Sequence, residues 1–494
     1  MIRRGFDNEK YLRMQSQKIK ERIEEFGGKL YLEFGGKLFD DYHASRVLPG
    51  FMPDSKIRML EELKEDAEIV IVISADDIEK NKRRGDLGIT YDLDVLRLID
   101  AFRGKGLYVG SVVITHYQGQ AAANLFRSRL NALGVKSYLH YIIPDYPANI
   151  SLIVSDEGFG KNDFIETERS LVVVTAPGPG SGKMATCLSQ LYHEQKRGVK
   201  AGYAKFETFP IWNLPLQHPV NLAYEAATAD LNDVNMIDPF HLETYGETVV
   251  NYNRDVEIFP VLNAMFENIY GESPYHSPTD MGVNMAGNCI VDDEACREAS
   301  RQEVIRRYYA AMCDQRSGFV SESEVLRIRM LMKRMEISEK DRPCVTPAIE
   351  KEMETDAPAT AFELPDGRIV TGKTSELLGA TSAALLNTLK AMAGIDDDQL
   401  LISPRVIEPI QQLKVEVLGN KNPRLHTDEI LIALSICAAD DPCAASALQM
   451  LPMLKGCQMH STVILSKVDD TLLHRIGVQT TYEPKYETAS LYHN

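Results

Sequence analysis

The sequence predicts an α/β protein: a phosphate-loop-like parallel sheet in the N-terminal region, with a helical part, and a smaller C-terminal α/β domain. Three observations predict it. Short β-branched runs alternate with helical patterns up to residue 204. One of these runs, Leu171 to Val174, feeds a glycine-rich turn, Pro177 to Lys183, that opens a helix. A new series of strand and helix patterns begins after residue 361.

Residues 1–26 read as a charged amphipathic helix. The pentapeptide Phe-Gly-Gly-Lys-Leu occurs at 26–30 and again at 34–38, flanking a short apolar strand at 30–32. Two copies do not define a repeat architecture. Further strands read at 69–74, 108–115, 137–142, 151–155, 171–175 and 199–204, and helices at 91–102, 118–133 and 184–195. Strands alternating with helices give a parallel sheet covered on both faces. Ligands in such sheets sit at the carboxyl ends of the strands, where the glycine turn lies.

From about 206 to 287 the texture changes to Pro, Asn, Asp, His and Tyr, as loops on a rigid scaffold do. Helices follow at 295–313 and 321–335. Residues 337–361 are charged and turn-rich and read as a linker between an N-terminal region, 1–336, and a C-terminal domain, 362–494. The helical part of the first region covers about 210–336.

The glycine turn carries the chemistry. A strand, a glycine-rich turn with free backbone N–H groups, a lysine and a helix N-terminus together cradle phosphate. Gly178, Gly180, Ser181, Gly182, Lys183 and Thr186 are the expected phosphate- or nucleotide-binding residues. The match to G-x-x-x-x-G-K-[ST] is incomplete: Pro177 stands at the first glycine, and Met184 at the hydroxyl that binds magnesium. Thr186 is the nearest hydroxyl, so it and Asp156 are the expected metal contacts. Asp76, Asp77 and Glu157 are further carboxylates at strand ends. An empty Gly/Pro turn is the alternative.

Residues 367–374, Gly-Arg-Ile-Val-Thr-Gly-Lys-Thr, match the same pattern to the letter. Here the apolar run lies inside the loop, so an extended strand is expected, without a cradle, followed by a helix at 375–392.

The strand at 199–204 ends in Lys205, Phe206 and Glu207. Lys205 and Glu207 are the candidate catalytic pair, one to neutralise an anion and one to act as base or metal ligand. A plain ion pair at the sheet rim is the alternative. Residues 206–255, with His218, Asp230, Asp233, Asp238, His241, Arg254 and Asp255, would shape the second-substrate wall. The first strand-turn-helix-strand unit, 171–207, resembles dethiobiotin-synthetase-type enzymes. That resemblance implies ligase- or kinase-like phosphoryl transfer with ATP or another nucleotide and magnesium; it departs at Pro177 and Met184.

The net charge of −17 and pI of about 5.2 argue against a nucleic-acid-binding face. No apolar run reaches the roughly 18 residues of a membrane span, and the N-terminus has no signal-peptide core, so a cytoplasmic protein is expected. The eight cysteines form no C-x-x-C pair, and no zinc is expected. Cys187 sits where a helix dipole would lower a thiol pKa, or where a small buried residue packs a helix on a sheet.

Nearly end to end, the chain resembles the bacterial domain of unknown function 1846 family. Residues 33–38, 174–190, 201–210, 221–241, 277–284 and 483–486 carry the likeness. It implies a large α/β region, a helical part and a C-terminal domain of deaminase-like shape. The H-x-E and P-C-x-x-C zinc signature is missing, so deamination does not carry over. The expected partner is a small phosphorylated ligand, with no nucleic acid or membrane; a homo-oligomer is also expected. A non-catalytic phosphate-binding regulator is the alternative to an enzyme.

Overall fold

A computed structural model describes residues 3–36, 38–39, 41–84 and 87–487. The chain divides into two compact units, Arg4–Arg297 and the part from Glu298 onward.

In the first unit the strands of the main sheet are β1 (Leu30–Phe34), β2 (Ala67–Ser74), β3 (Tyr108–Tyr117), β4 (Lys136–Tyr141), β5 (Leu171–Thr175) and β6 (Gly202–Phe206). A separate antiparallel pair follows, β7 (Asn235–Ile237) and β8 (Val250–Tyr252), and then β9 (Gly282–Val283) rejoins the main sheet. Among the described residues the seven strands run in the order β4-β3-β2-β5-β1-β6-β9, and all neighbours are parallel. Strands β1, β2 and β5 are buried along their whole length, which is why they read as mainly apolar runs, interrupted by Glu33 in β1 and Glu68 in β2.

The helix Lys183–Lys196 lays Cys187, Leu188 and Leu191 on one face of the sheet, against Val172, Val174 and Tyr203. Fully burying each such aliphatic side chain contributes about 1.5–3 kcal/mol. The order of strands creates a switch point. From β2 the chain moves outward to β3 and β4; from β5 it passes β1 to reach β6. The loops after the adjacent strands β2 and β5 therefore part, and a crevice opens between them.

Three expectations need correction. Residues 151–155 are not a strand. Asn149 caps the short helix Ile150–Ile153 by accepting from the Leu152 N–H, and a four-residue apolar run suits either state. The strand expected at 199–204 begins later, at Gly202. Residues 337–361 are not turn-rich throughout: they carry the helix Val345–Thr355 and the start of a strand. The second copy of the repeated pentapeptide includes Lys37, which lies outside the described residues, as do Met1 and Ile2 of the expected first helix; the described part of that helix is Asn8–Glu25.

In the second unit β10 (Ala359–Glu363), β11 (Ile369–Lys373), β12 (Gln458–Ser461) and β13 (Gln479–Tyr482) form a mixed sheet in the order β11-β10-β12-β13. Phe362, Leu385, Leu389, Ile430, Leu434 and Met459 fill its core. The letter-perfect phosphate-loop pattern at 367–374 is the turn and second strand of the β10–β11 hairpin. Its second glycine is there for packing, because a Cβ on Gly372 would stand 2.2 Å from the backbone nitrogen of Ala384 in the helix Ala380–Ala393.

Candidate functional site

The glycine loop occupies the crevice. After β5 the chain turns through Gly180 (φ 74°) and Gly182 (φ 86°), a left-handed region that a side chain disfavours. Ser181 Oγ donates to the Gly178 carbonyl at 2.7 Å, and Thr115 Oγ1, from the end of β3, donates to the Ser181 carbonyl at 2.7 Å. The loop is thus pinned from inside and from the end of β3. Gly178 has no room for a side chain: a Cβ there would lie 2.2 Å from the Tyr91 hydroxyl oxygen. No side chain caps the helix that starts at Lys183, so its first-turn N–H groups carry the positive end of the dipole toward the crevice.

A cavity of about 590 Å³ lies against this loop. Gly180 to Thr186 form one wall. Asp76 and His116, from the ends of β2 and β3, form another. Tyr141, Ile142, Ile143 and Tyr146, after β4, form an apolar wall opposite, and Glu33 closes the β1 side. Lys183 Nζ is 4.0 Å from Glu33 Oε1, while Tyr203 Oη donates to Glu33 Oε2 at 2.7 Å. The lysine is held near one carboxylate at the outer limit of an ion pair, not locked to it.

Of the expected site residues, the structure brings Gly180, Ser181, Gly182, Lys183 and Thr186 to the cavity, with Gly178 just behind. Thr186 is fully buried, and its Oγ1 lies 3.5 Å from His140 Nδ1. Asp156 is not beside it. The aspartate accepts from Tyr192 Oη at 2.8 Å and Lys196 Nζ at 2.9 Å, near the far end of the helix Lys183–Lys196, about 20 Å along the axis from the loop. The expected metal pair is therefore not assembled.

Lys205 and Glu207 do pair, at 2.7 Å, and Asp255 also accepts from Lys205. The three are packed at the carboxyl end of β6 and do not line the cavity. Burial pushes the Glu207 carboxyl up to about 7: with the nearby charge of Asp255 it outweighs the pull of Lys205. Lys205 stays charged despite burial, because Asp255, Glu207 and Glu33 surround it.

The segment 206–255 does not wall this cavity either. His218 caps the helix Pro219–Ala227 and bonds Asp293 at 2.9 Å. Asp238 caps the helix Pro239–Tyr245, and the next residues place His241 Nδ1 2.9 Å from Ser277 Oγ. Arg254 pairs with Asp233 at 2.7 Å, so its fork is taken. Cys187 is buried beneath the sheet, and burial raises its thiol pKa instead of lowering it. Among the described residues no three His, Cys, Asp or Glu side chains converge as a metal site.

The sequence reading missed Thr115, His116, His140, Tyr141 and Tyr146. Their one available signal was position, at the carboxyl ends of β3 and β4. His140 is buried with both ring nitrogens engaged, Nε2 3.2 Å from the Asp163 carbonyl, and burial lowers its pKa to about 3.

Fold and site together define a parallel α/β protein with a glycine-loop cavity at the switch point of its sheet. The chain belongs to the DUF1846 family. Residues 4–336 match the domain of unknown function DUF1846, N-terminal, and residues 340–492 match its C-terminal counterpart. Relatives include the UPF0371 proteins of Streptococcus thermophilus and Streptococcus pneumoniae, each 59% identical over 492 residues that cover 100% of both chains. A UPF0371 protein of Corynebacterium urealyticum is 59% identical over 489 residues, covering 99% of this chain and 98% of its own. Among the described residues no helix is long and apolar enough to cross a membrane.

Proposed function

We propose that the protein binds a nucleotide or another phosphorylated metabolite in the glycine-loop cavity. One observation carries this reading: Gly180, Gly182, Lys183 and an uncapped helix start converge on a cavity of about 590 Å³ at the switch point. That volume lies within the range of small-molecule sites. The loop amides and Lys183 hold phosphate, and the wall of Tyr141, Ile142 and Tyr146 faces the less polar part of the ligand. Binding without hydrolysis is the favoured form, because Met184 replaces the magnesium hydroxyl and Thr186 is buried. Ligase- or kinase-like transfer with ATP and magnesium is the second reading, supported by the two carboxylates, Asp76 and Glu33, that face the same cavity.

A thermal-shift screen of nucleotides, phosphorylated metabolites and pyrophosphate, with and without magnesium, tests this against Lys183→Ala. A ligand at a hundredfold over its Kd stabilises by about 2.7 kcal/mol. A shift that disappears in the variant supports the reading, and turnover in magnesium supports the second form. No shift with any phosphate compound overturns both.

A further inference from the structure

We propose that His116 is the second cationic contact of the phosphate bound on the glycine loop, donating from Nε2 across the cavity from Lys183. This rests on the phosphate-binding reading above. The preceding residue, Thr115, already touches the loop: besides its hydrogen bond to Ser181, its methyl carbon lies 3.3 Å from where a Cβ of Gly182 would be. The end of β3 and the loop are therefore in contact, and His116 lines the same cavity.

The backbone of His116 is arranged for that direction. The pairing of β3 with β4 slips between Ile114 and Tyr117, and His116 takes φ 54°. Such a conformation is unfavourable for a non-glycine residue, and slips of this kind re-aim side chains next to sites. The carbonyl of His116 accepts from Gln120 Nε2 at 3.0 Å, and the same amide group donates to Asp76 Oδ1 at 3.1 Å. The ring is held on one side only. Nδ1 is 3.2 Å from Ser74 Oγ, while among the described residues no hydrogen bond engages Nε2 of this half-buried side chain. A ring fixed through one nitrogen and open at the other is the arrangement of a histidine that meets a ligand. His140 lines the same cavity but has both nitrogens occupied by the protein.

The charged and titratable groups on the walls of this cavity are Asp76, Glu33, Lys183, His140, Tyr141 and Tyr146. A bound dianion in contact with the ring favours its imidazolium form. Anion affinity should therefore rise as His116 protonates.

The test is calorimetric titration with inorganic pyrophosphate and with sulfate, whose charge is constant, between about pH 8 and about pH 5.5, the range in which histidine protonates. The proteins are the parent, His116→Asn, His116→Gln, His140→Gln and Lys183→Ala. Asparagine tolerates the left-handed backbone, so His116→Asn keeps the fold, and His116→Gln is the second variant. Sulfate affinity should rise about tenfold toward acid in the parent and in His140→Gln, as protonation of a ring that touches the bound anion requires. It should be flat in both His116 variants, which still bind at about pH 8. A slope that persists without His116, or a parent without one, overturns the inference and leaves the loop reading intact. No binding of either anion by the parent at any pH overturns both.

Discussion

Glu207→Gln should make the protein more stable at alkaline pH, although it removes one partner of a buried ion pair. Lys205 faces two carboxylates, Glu207 at 2.7 Å and Asp255, with Glu33 nearby. One ammonium does not support both in a buried place, and Glu207 holds its proton up to about 7 against an ordinary 4.5. The folded state thus binds that proton more tightly than the unfolded chain does. The linked stability is fully present below about 4.5 and is lost as pH rises through about 7. At about 1.4 kcal/mol for each tenfold in proton affinity, the loss approaches about 3 kcal/mol. Glutamine keeps the shape and the neutral hydrogen bond. Urea unfolding should therefore show the variant equal to the parent near pH 4.5 and up to about 3 kcal/mol more stable near pH 8. A variant less stable than the parent by the same amount at both pH values would refute the reasoning, because Glu207 would then be an ionised partner that Lys205 needs.

Gly178→Ala should disturb the glycine loop, since its Cβ would stand 2.2 Å from the Tyr91 hydroxyl oxygen; overpacking of this kind costs about 1–3 kcal/mol, and adding Tyr91→Phe, which removes that nearest atom without opening a large cavity, should recover part of the stability and of the anion binding. Arg342, buried in the second unit, donates to the Gln479 carbonyl at 2.6 Å and to the Gln458 side chain. Arg342→Met removes both of these guanidinium hydrogen bonds from a buried place and should cost about 2 kcal/mol in urea unfolding. His426 is raised by its hydrogen bond to Asp469, 3.1 Å away. Asp469, although burial opposes it, is held low by the same imidazole. The aspartate's share of stability is lost as pH falls below 3.8, and the histidine's is lost as pH rises above 6.5 through its raised value. His426→Gln should therefore cost most, about 1–2 kcal/mol, between those limits and less above neutrality, read from urea midpoints across the range.

The strands of the main sheet were legible because a doubly covered parallel strand must be apolar on both sides; Ile69 to Ile73 in β2 and Leu171 to Val174 in β5 are unbroken runs of Ile, Leu and Val closed by a hydroxyl residue. The run at 151–155 carries the same composition and folds as a helix. Its fate was decided by an asparagine cap two residues upstream, a signal weaker than the run itself. The glycine loop was legible because it is local: glycines, lysine and helix start are consecutive. The rest of the cavity was not, because His116, Tyr141 and Glu33 become neighbours of the loop only once the strand order β3-β2-β5-β1 is known.

The same reason separates the two lysines. Lys183 and Lys205 both follow strand signals, and both read as anion contacts. What divides them is Asp255, fifty residues beyond Lys205 and delivered by the start of the helix Asn253–Tyr270. With two carboxylates already on it, Lys205 has no charge left to offer an incoming anion. Lys183 meets a single carboxylate at 4.0 Å, and that carboxylate is already hydrogen-bonded by Tyr203. An anion on the loop would meet Lys183 without first breaking a tight pair. Lys183→Ala and Lys205→Ala should accordingly part company. The first should abolish pyrophosphate binding with the fold intact. The second should leave Glu207 and Asp255 buried without their cation and cost about 3–5 kcal/mol of stability. Equal loss of binding in a stable Lys205→Ala protein would place the anion between the two lysines and overturn the assignment of the cavity to the glycine loop alone.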